Sequence, residues 1–437
     1  MQREKWSSRV GFVIAGIASA VGLGTIVRFS YLVGKNGGGT FLIPYFIAIA
    51  FFGIPLMILE FSIGKHFGSS VVPAFSNIRK RFKWAGLFIV FVSSMILSYY
   101  LVITGWVLAY FLQFLMSKPI PFSQFTGSYY PLLFFFITGG IAFSVIRAGV
   151  RHGIEKVSRL LVPLLFAVLF LLLASALTMS GTREGIKFYL IPDLSKLSEP
   201  SIWTEAFGQA FYSLGVGLGI MLTYGSYMHE ETSKKGTSTF SEIEKNAALI
   251  ALFDTIAAVL GGFVIFPIVF SYGLNPDSGL QLAFITLPLI FQKIGFGSLL
   301  GTVFFFLLFI AATSSAISLL EVPVATLIDY WDYGRKKATF LVSVCIMLIG
   351  IPSALSYTAL KLELSGNYIL DLYDLAFGTE GVIAAGLILS IVAGWYMGPD
   401  ILIKEIWGSK SKQGLFSLII KFFIPFVLSI LLVIRFI

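Results

Sequence analysis

Eleven predominantly apolar stretches of about 20 residues follow one another along this chain, each long enough to cross a bilayer as a helix. They lie at roughly 10–30, 39–63, 84–115, 130–147, 157–179, 203–228, 246–272, 297–323, 338–357, 369–396 and 414–436. Several exceed the hydrocarbon thickness, so tilt or a break is expected in them. Composition agrees. Hydrophobic residues make up 57% of the chain and charged residues 12%, with a mean hydropathy of +0.90. A soluble chain carries about twice that charge. The lone cysteine, Cys345, lies in an apolar run, which excludes an intramolecular disulfide and a cysteine-based metal site. The basic start and "ASA" at 18–20 imitate a secretory leader. The run continues past them through Gly22, Gly24 and Arg28, and is read as the first membrane span.

Basic residues set the topology. With the N-terminus in the cytoplasm, the inner segments hold Arg3, Lys5 and Arg9, then Lys65, Arg79, Lys80, Arg81 and Lys83, then Arg147, Arg151, Lys156 and Arg159. Lys234, Lys235 and Lys245, Arg335, Lys336 and Lys337, and Lys404, Lys410 and Lys412 complete the set. That is 21 of 31 Lys and Arg, against nine outside and one within a span. The positive-inside rule therefore predicts a multi-pass protein of the cell membrane with its N-terminus cytoplasmic and its C-terminus extracellular. The net charge of +9 is a topology signal and a lipid-headgroup contact, not a nucleic-acid surface.

Two spans carry the same flaw. "ASAVGLGT" at 18–25 in the first span has a partner, "SLGVGLGI" at 213–220, in the sixth, five helices on. Each glycine costs a helix about 1 kcal/mol relative to alanine. An odd number of helices per unit gives two halves of opposite orientation, as in inverted-repeat transporters. The predicted units are 1–180 (helices 1–5), 200–397 (helices 6–10) and 413–437 (an additional helix 11). A helix that unwinds inside a membrane frees carbonyls on one side and N–H groups on the other, which hydrocarbon tolerates only against a cavity or ligand. Free carbonyls suit a hard cation such as Na⁺, and the N–H groups of the following half-helix suit a carboxylate. Two facing breaks therefore predict a site for an amino acid with sodium.

The residues also carry a family resemblance. "REKWSSRVGFVIAGIASAVGLGTIVRF", "NGGGTFLIPYFIA" and "GIPLMILEFSIG" resemble the opening of the neurotransmitter:sodium symporters, here the eleven-span prokaryotic subset. "GQAFYSLGVGLG", "GFVIFP", "FITLPLIF" and "FFFLLFIAATSSAISLLE" continue the likeness over nearly the whole chain. The resemblance implies an all-α, polytopic membrane protein of inverted-repeat five-plus-five helix architecture, with helices 1 and 6 broken and one helix added. The bacterial leucine transporter is the standard example of such inverted repeats and broken helices.

The resemblance further implies two sodium sites. One would use the carbonyls of Ala18, Val21 and Ala311 with the hydroxyls of Ser314 and Ser315. The bland reading of "TSS" at 313–315 is hydroxyls bonded back to their own helix. The other would use the Ala20 carbonyl, Thr25, Ser213, Asp254 and the substrate carboxylate. Thr25 and Asp254 stand where the family usually has asparagine. "NAALIALFDTIAAVLGG" puts Asp254 about two turns inside its span, too deep for a helix-start charge and functional by default. Family members that need chloride use it to bring negative charge near this sodium. Asp254 supplies that charge, so no chloride requirement is expected, and its protonation on the empty carrier would give proton antiport.

Gates follow at both faces. The resemblance pairs Arg28 with Asp374 outside, with Asp371 as the competing partner, and Arg3 with Asp329 inside, supported by Trp6, Ser226 and Tyr227. Glu60 matches a buried glutamate expected to cap the unwound backbone of helix one. Gly153 and Pro163, with nine residues between them, weaken the inner half of span five, which the resemblance links to water reaching the second sodium.

For the substrate, Gly22 stands where monoamine carriers have an aspartate, so the ligand is expected to be an α-amino acid. Its ammonium would meet carbonyls of Ala18, Tyr212 and Ser213 and the Ser315 hydroxyl, and Tyr100 would donate to its carboxylate. The side-chain pocket would be Ser19, Leu23, Ile96, Tyr212, Gly215, Leu218, Ser315 and Leu319, with Ala20 and Gly24 beside it. No buried charge appears there and Gly215 leaves room, pointing to a hydrophobic or aromatic side chain. A channel, a non-transporting amino-acid sensor and a membrane enzyme are the rival classes. The enzyme reading fails because His66, His152 and His229 all fall in loops. Glu380, in span ten, receives no role, and the oligomeric state is not encoded in these patterns.

Overall fold

The computed structural model describes residues 3–228, 239–273, 282–292, 296–398 and 413–434. His229, Lys234, Lys235, Lys404, Lys410 and Lys412 lie outside the described residues. Among the described residues, nine helices are long and apolar enough to cross a membrane: Gly39–Phe67, Lys80–Leu115, Tyr130–Arg147, Val150–Ala176, Glu242–Ser271, Gly297–Trp331, Arg335–Leu355, Ile369–Met397 and Gly414–Val433. A tenth span is the bent pair Arg9–Ala20 and Gly24–Lys35, whose axes meet at 57°. The sixth predicted span is two half-helices, Pro200–Ser213 and Ile220–Gly225, each too short to cross alone. Lys80–Leu115 and Gly297–Trp331 pack along each other and form the centre of the bundle. An antiparallel ribbon, Glu363–Leu364 with Asn367–Tyr368, sits in the connection before Ile369–Met397.

The two breaks use glycine for different reasons. In the first, Ser8 Oγ caps the helix start at the Gly11 N–H, and the helix stops where Val21 turns extended (φ −71°, ψ 97°). Gly22 and Gly24 serve close approach. A Cβ on Gly22 would lie 2.8 Å from Ser315 Oγ, and one on Gly24 would lie 2.5 Å from the Tyr212 ring. In the second, Gly215, Gly217 and Gly219 sit at φ of +62°, +84° and +73°. Only glycine enters that left-handed region freely, so these alternate glycines dictate the unwound turn.

Glu60 corrects one expectation. It does not cap the first span. Its two carboxylate oxygens accept the Gly217 N–H (2.5 Å) and the Leu222 N–H (3.3 Å) of the sixth. The left-handed glycines turn those N–H groups toward the buried Glu60, which satisfies donors that hydrocarbon would leave orphaned.

The span predicted at 157–179 begins earlier, at Val150, because Gly149 (φ +92°) admits a π-helical turn over Val150–Glu155 that contains Gly153. Pro163 lies inside the helix that follows, Lys156–Ala176. Wide π turns recur at Gly24–Arg28, Ile49–Gly53, Leu282–Thr286, Asp374–Gly381, Val392–Met397 and Ile419–Phe423.

Candidate functional site

The first break, the second break and helix Glu242–Ser271 meet at a knot of oxygens. Asp254, buried, accepts the Thr25 hydroxyl on Oδ1 (2.9 Å) and the Ser213 hydroxyl on Oδ2 (2.8 Å). Thr25 Oγ1 also lies 3.1 Å from Ser213 Oγ and from the Ala20 carbonyl, and accepts the Gly22 N–H at 3.2 Å. The helical partner of that N–H would have been Ala18, so Thr25 takes the place of a lost helix bond. The structure thus brings Ala20, Thr25, Ser213 and Asp254 together. Among the described residues no group of three His, Cys, Asp or Glu could hold a metal. The knot is instead a carbonyl, two hydroxyls and one carboxylate, a donor set that suits a hard monovalent cation.

The second oxygen group lies across the first break. Ser314 Oγ donates to the Ala311 carbonyl of its own helix (3.0 Å), whereas Ser315 Oγ is 3.2 Å from both the Ala311 carbonyl and the Ser19 carbonyl. Ser315 therefore links Gly297–Trp331 to the broken helix. Ala18 and Val21 are buried nearby on span one.

Between these groups is a small cavity of about 60 Å³. Ser19, Ala20, Gly24, Ile96, Tyr100, Tyr212, Ser213, Gly215, Leu218, Ser315 and Leu319 line it, as does Gly22. Ser19 Oγ is buried there with no partner among the described residues. Two expected residues fall elsewhere: Leu23 lines the next cavity outward, and Ala18 lines neither. Leu23 stands at the head of the π turn Gly24–Arg28, already past the break, so it belongs to the half-helix that walls the next cavity. Phe211, Val216, Ile220 and Val382 also line the cavity and were missed, since an apolar residue in a span gives no sign of where it points. No lining side chain is charged.

The next cavity, about 270 Å³, shares Gly24, Tyr100 and Tyr212 with the first, so the two tyrosines form the partition. Its wall holds Arg28, Asp371 and Asp374. Arg28 lies over the Tyr212 ring (4.6 Å to its centroid) and donates to Gln209, whose amide in turn donates to the Gly24 carbonyl. Asp374 accepts the Tyr99 hydroxyl at 2.8 Å, and Asp371 accepts that of Tyr357. Glu380 is half-buried on the same π turn as Asp374.

The opposite end of the bundle is sealed by the N-terminal segment. Arg3 pairs with Asp329 at 2.5 Å, donates to Ser226 Oγ and the Ser226 carbonyl, and lies over the Tyr227 ring. Trp6 is buried, with its indole N–H on the Tyr224 carbonyl. A second ionic group was missed by sequence reasoning. Arg335 bridges Glu4 (2.6 Å) and Glu321 (2.9 Å), and Tyr227 donates to Glu321. Glu321 ends a motif quoted above, and the cost argument that singled out Asp254 applies to it equally. The same N-terminal segment also grips span five: Glu4 accepts the Val150 N–H, and Ser7 and Arg159 both donate to Glu155.

The model of the Sodium:neurotransmitter symporter family matches residues 3–131 and 130–437. The chain belongs to this family. The symporter is 35% identical to a sodium-dependent transporter of Methanocaldococcus jannaschii, over 93% of this chain and 84% of that one. It is 32% identical to the sodium-dependent transporter YhdH of Bacillus subtilis, over 98% and 96%. The crystal structure of MhsT in complex with L-phenylalanine superposes with a TM-score of 0.87 at 36% identity, covering 99% of each chain. The fold is therefore the broken-helix transporter fold that the sequence implies. The symporter is a sodium-dependent membrane transporter, not an enzyme.

Proposed function

We propose that this symporter carries an α-amino acid with a hydrophobic or aromatic side chain, drawn inward by sodium through alternating access. The observation that carries the reading is the Ala20–Thr25–Ser213–Asp254 knot at the wall of an uncharged cavity between two helix breaks. Its polar lining, with Ser19, Tyr100, Ser213 and Ser315, suits the zwitterionic head of an amino acid. Its apolar lining, with Ile96, Leu218, Ile220 and Leu319, suits an apolar side chain. The L-phenylalanine in MhsT supports this class of substrate.

Two sodium ions are the proposed co-substrates. Asp254 with Thr25, Ser213 and the Ala20 carbonyl would hold one, and Ser314 and Ser315 with the carbonyls of Ala18, Val21 and Ala311 the other. Mammalian taurine transporters, 28% identical at most among those compared, are named as sodium- and chloride-dependent. Here Asp254 supplies the negative charge, so transport proceeds without chloride, and the return of the empty carrier with Asp254 protonated would export a proton. With the N-terminus cytoplasmic, Arg3–Asp329 is the inner gate and the Arg28–Asp374 cavity the outer approach. Units 1–180 and 200–397 are the inverted repeats, and 413–437 is the added helix.

The test is uptake into proteoliposomes under an inward sodium gradient, with gluconate replacing chloride and a panel of radiolabelled amino acids. Large neutral amino acids should accumulate, and lysine and glutamate should not. Sodium conduction without accumulation would make the protein a channel. Binding without uptake would make it a sensor.

A further inference from the structure

Lys421 is a cation inside a membrane span that neither the oxygen knot nor the gates use. A lysine at the centre of a membrane helix costs about 2.5–3.5 kcal/mol, which its flexible stem reduces by reaching for the interface. Among the described residues its ammonium is paired with no carboxylate. Lys421 sits in the π turn Ile419–Phe423, and its carbonyl accepts the Trp395 indole N–H at 2.9 Å. Trp395 belongs to the facing π turn, Val392–Met397, that ends span ten. Two residues of helix separate Trp395 from that end, about 3 Å of rise. Lys421 therefore lies beside the last turn of span ten, about two helical turns inside the start of span eleven, within reach of the interface for its flexible stem.

Beside it runs a groove of about 540 Å³ between spans ten and eleven, walled by Trp395, Tyr396, Phe422 and Phe426. Trp395 and Phe422 meet edge to face at 5.2 Å, and both are exposed. At the rim, the guanidinium groups of Arg79 and Arg81 lie 5.1 and 5.5 Å from the Tyr396 ring centroid. Both arginines are exposed, at the entry to span three. No described lining residue is acidic. An open apolar trough therefore ends in interfacial aromatic rings with cations on two sides.

We propose that this groove binds one anionic phospholipid, its phosphate between Lys421 and the Arg79–Arg81 pair and an acyl chain along Phe422 and Phe426. Charge complementarity selects the ligand, because basic pockets between membrane helices favour anionic headgroups. A zwitterionic lipid brings its own ammonium against the same three cations. Free phosphate has no chain to fill the trough.

Native mass spectrometry of the purified full chain, titrated with dioleoyl phosphatidylglycerol or dioleoyl phosphatidylcholine, tests this. Wild type should bind its first phosphatidylglycerol more tightly than phosphatidylcholine. Lys421→Met should weaken that event about fivefold, the effect of roughly 1 kcal/mol per basic residue near the surface, and Lys421→Arg should retain it. Arg79→Gln with Arg81→Gln should weaken it as well, and carries the test if Lys421→Met does not fold. Lys336→Met with Lys337→Met, at a different basic cluster, should change nothing. Equal binding of the two lipids, wild-type affinity in the Lys421→Met protein, or equal loss in the Lys336/Lys337 control would overturn the proposal. So would displacement of the lipid by inorganic phosphate.

Discussion

Glu60 on span two accepts the Gly217 N–H of span six at 2.5 Å, so a carboxylate from one helix holds open the unwound turn of another. Replacing it with glutamine leaves one oxygen for two donors and turns an amide N–H toward them. A lost bond to a buried donor costs about 1–3 kcal/mol. Glu60→Gln should therefore unfold at a lower temperature in detergent and bind sodium-dependent substrate more weakly. A wild-type melting curve would mean that the turn holds its shape without this carboxylate.

Ser314 and Ser315 are predicted to hold the second sodium. Ser315 already spans two helices, reaching the Ser19 carbonyl. The double change to alanine should abolish sodium-dependent substrate binding in a scintillation-proximity assay. Unchanged sodium affinity in that variant would remove both residues from the ion site.

At Gly22 an added Cβ would lie 2.8 Å from Ser315 Oγ and 3.5 Å from the Tyr100 hydroxyl. Gly22→Asp would place a carboxylate where the substrate's own is expected, and amino-acid binding should disappear. Wild-type affinity in this variant would put the substrate carboxylate elsewhere.

Asp254 is proposed to supply the charge that makes transport independent of chloride. Sodium and a zwitterion bring net positive charge into a water-poor site, where an uncompensated charge costs several kcal/mol. Wild-type uptake in gluconate should equal that in chloride, and Asp254→Asn should acquire chloride stimulation. Collapse of wild-type uptake without chloride would refute the assignment, and a chloride-indifferent Asp254→Asn would move the charge to another group.

Glu321 is fully buried and held by Arg335 and Tyr227. Breaking a buried pair by removing one partner costs about 3–5 kcal/mol. Glu321→Gln should loosen the N-terminal seal, read as faster modification of a cysteine introduced at Ser226 in an otherwise cysteine-free chain. Equal labelling rates in the two backgrounds would show that Arg3–Asp329 seals this end alone.

What the sequence made legible follows from cost. Asp254 stands out because a carboxylate in a span is expensive, and Gly22 and Gly217 stand out because they interrupt otherwise helical runs, whereas Thr25 and Ser213 enter only through the family resemblance. The partner of Glu60 was not legible. A glycine run marks where a helix opens, but the direction of the freed N–H groups depends on the dihedral angles of Gly215, Gly217 and Gly219. Val216, Ile220 and Val382 were silent for the opposite reason, since burying them in membrane or in a pocket costs the same. Leu23 differs because it lies past the break, at the head of the wide turn Gly24–Arg28, and so lines the next cavity.

Those wide turns also bear on how this chain can be compared with others. A π turn is an ordinary helix that has taken in one extra residue. Loss of a single residue within Ile49–Gly53 or Ile419–Phe423 would close the turn into α-helix without moving either flank. A one-position gap in an alignment at these points is therefore a change of local winding, not of architecture. Frames matched without that gap would set every later side chain about 100° out of phase.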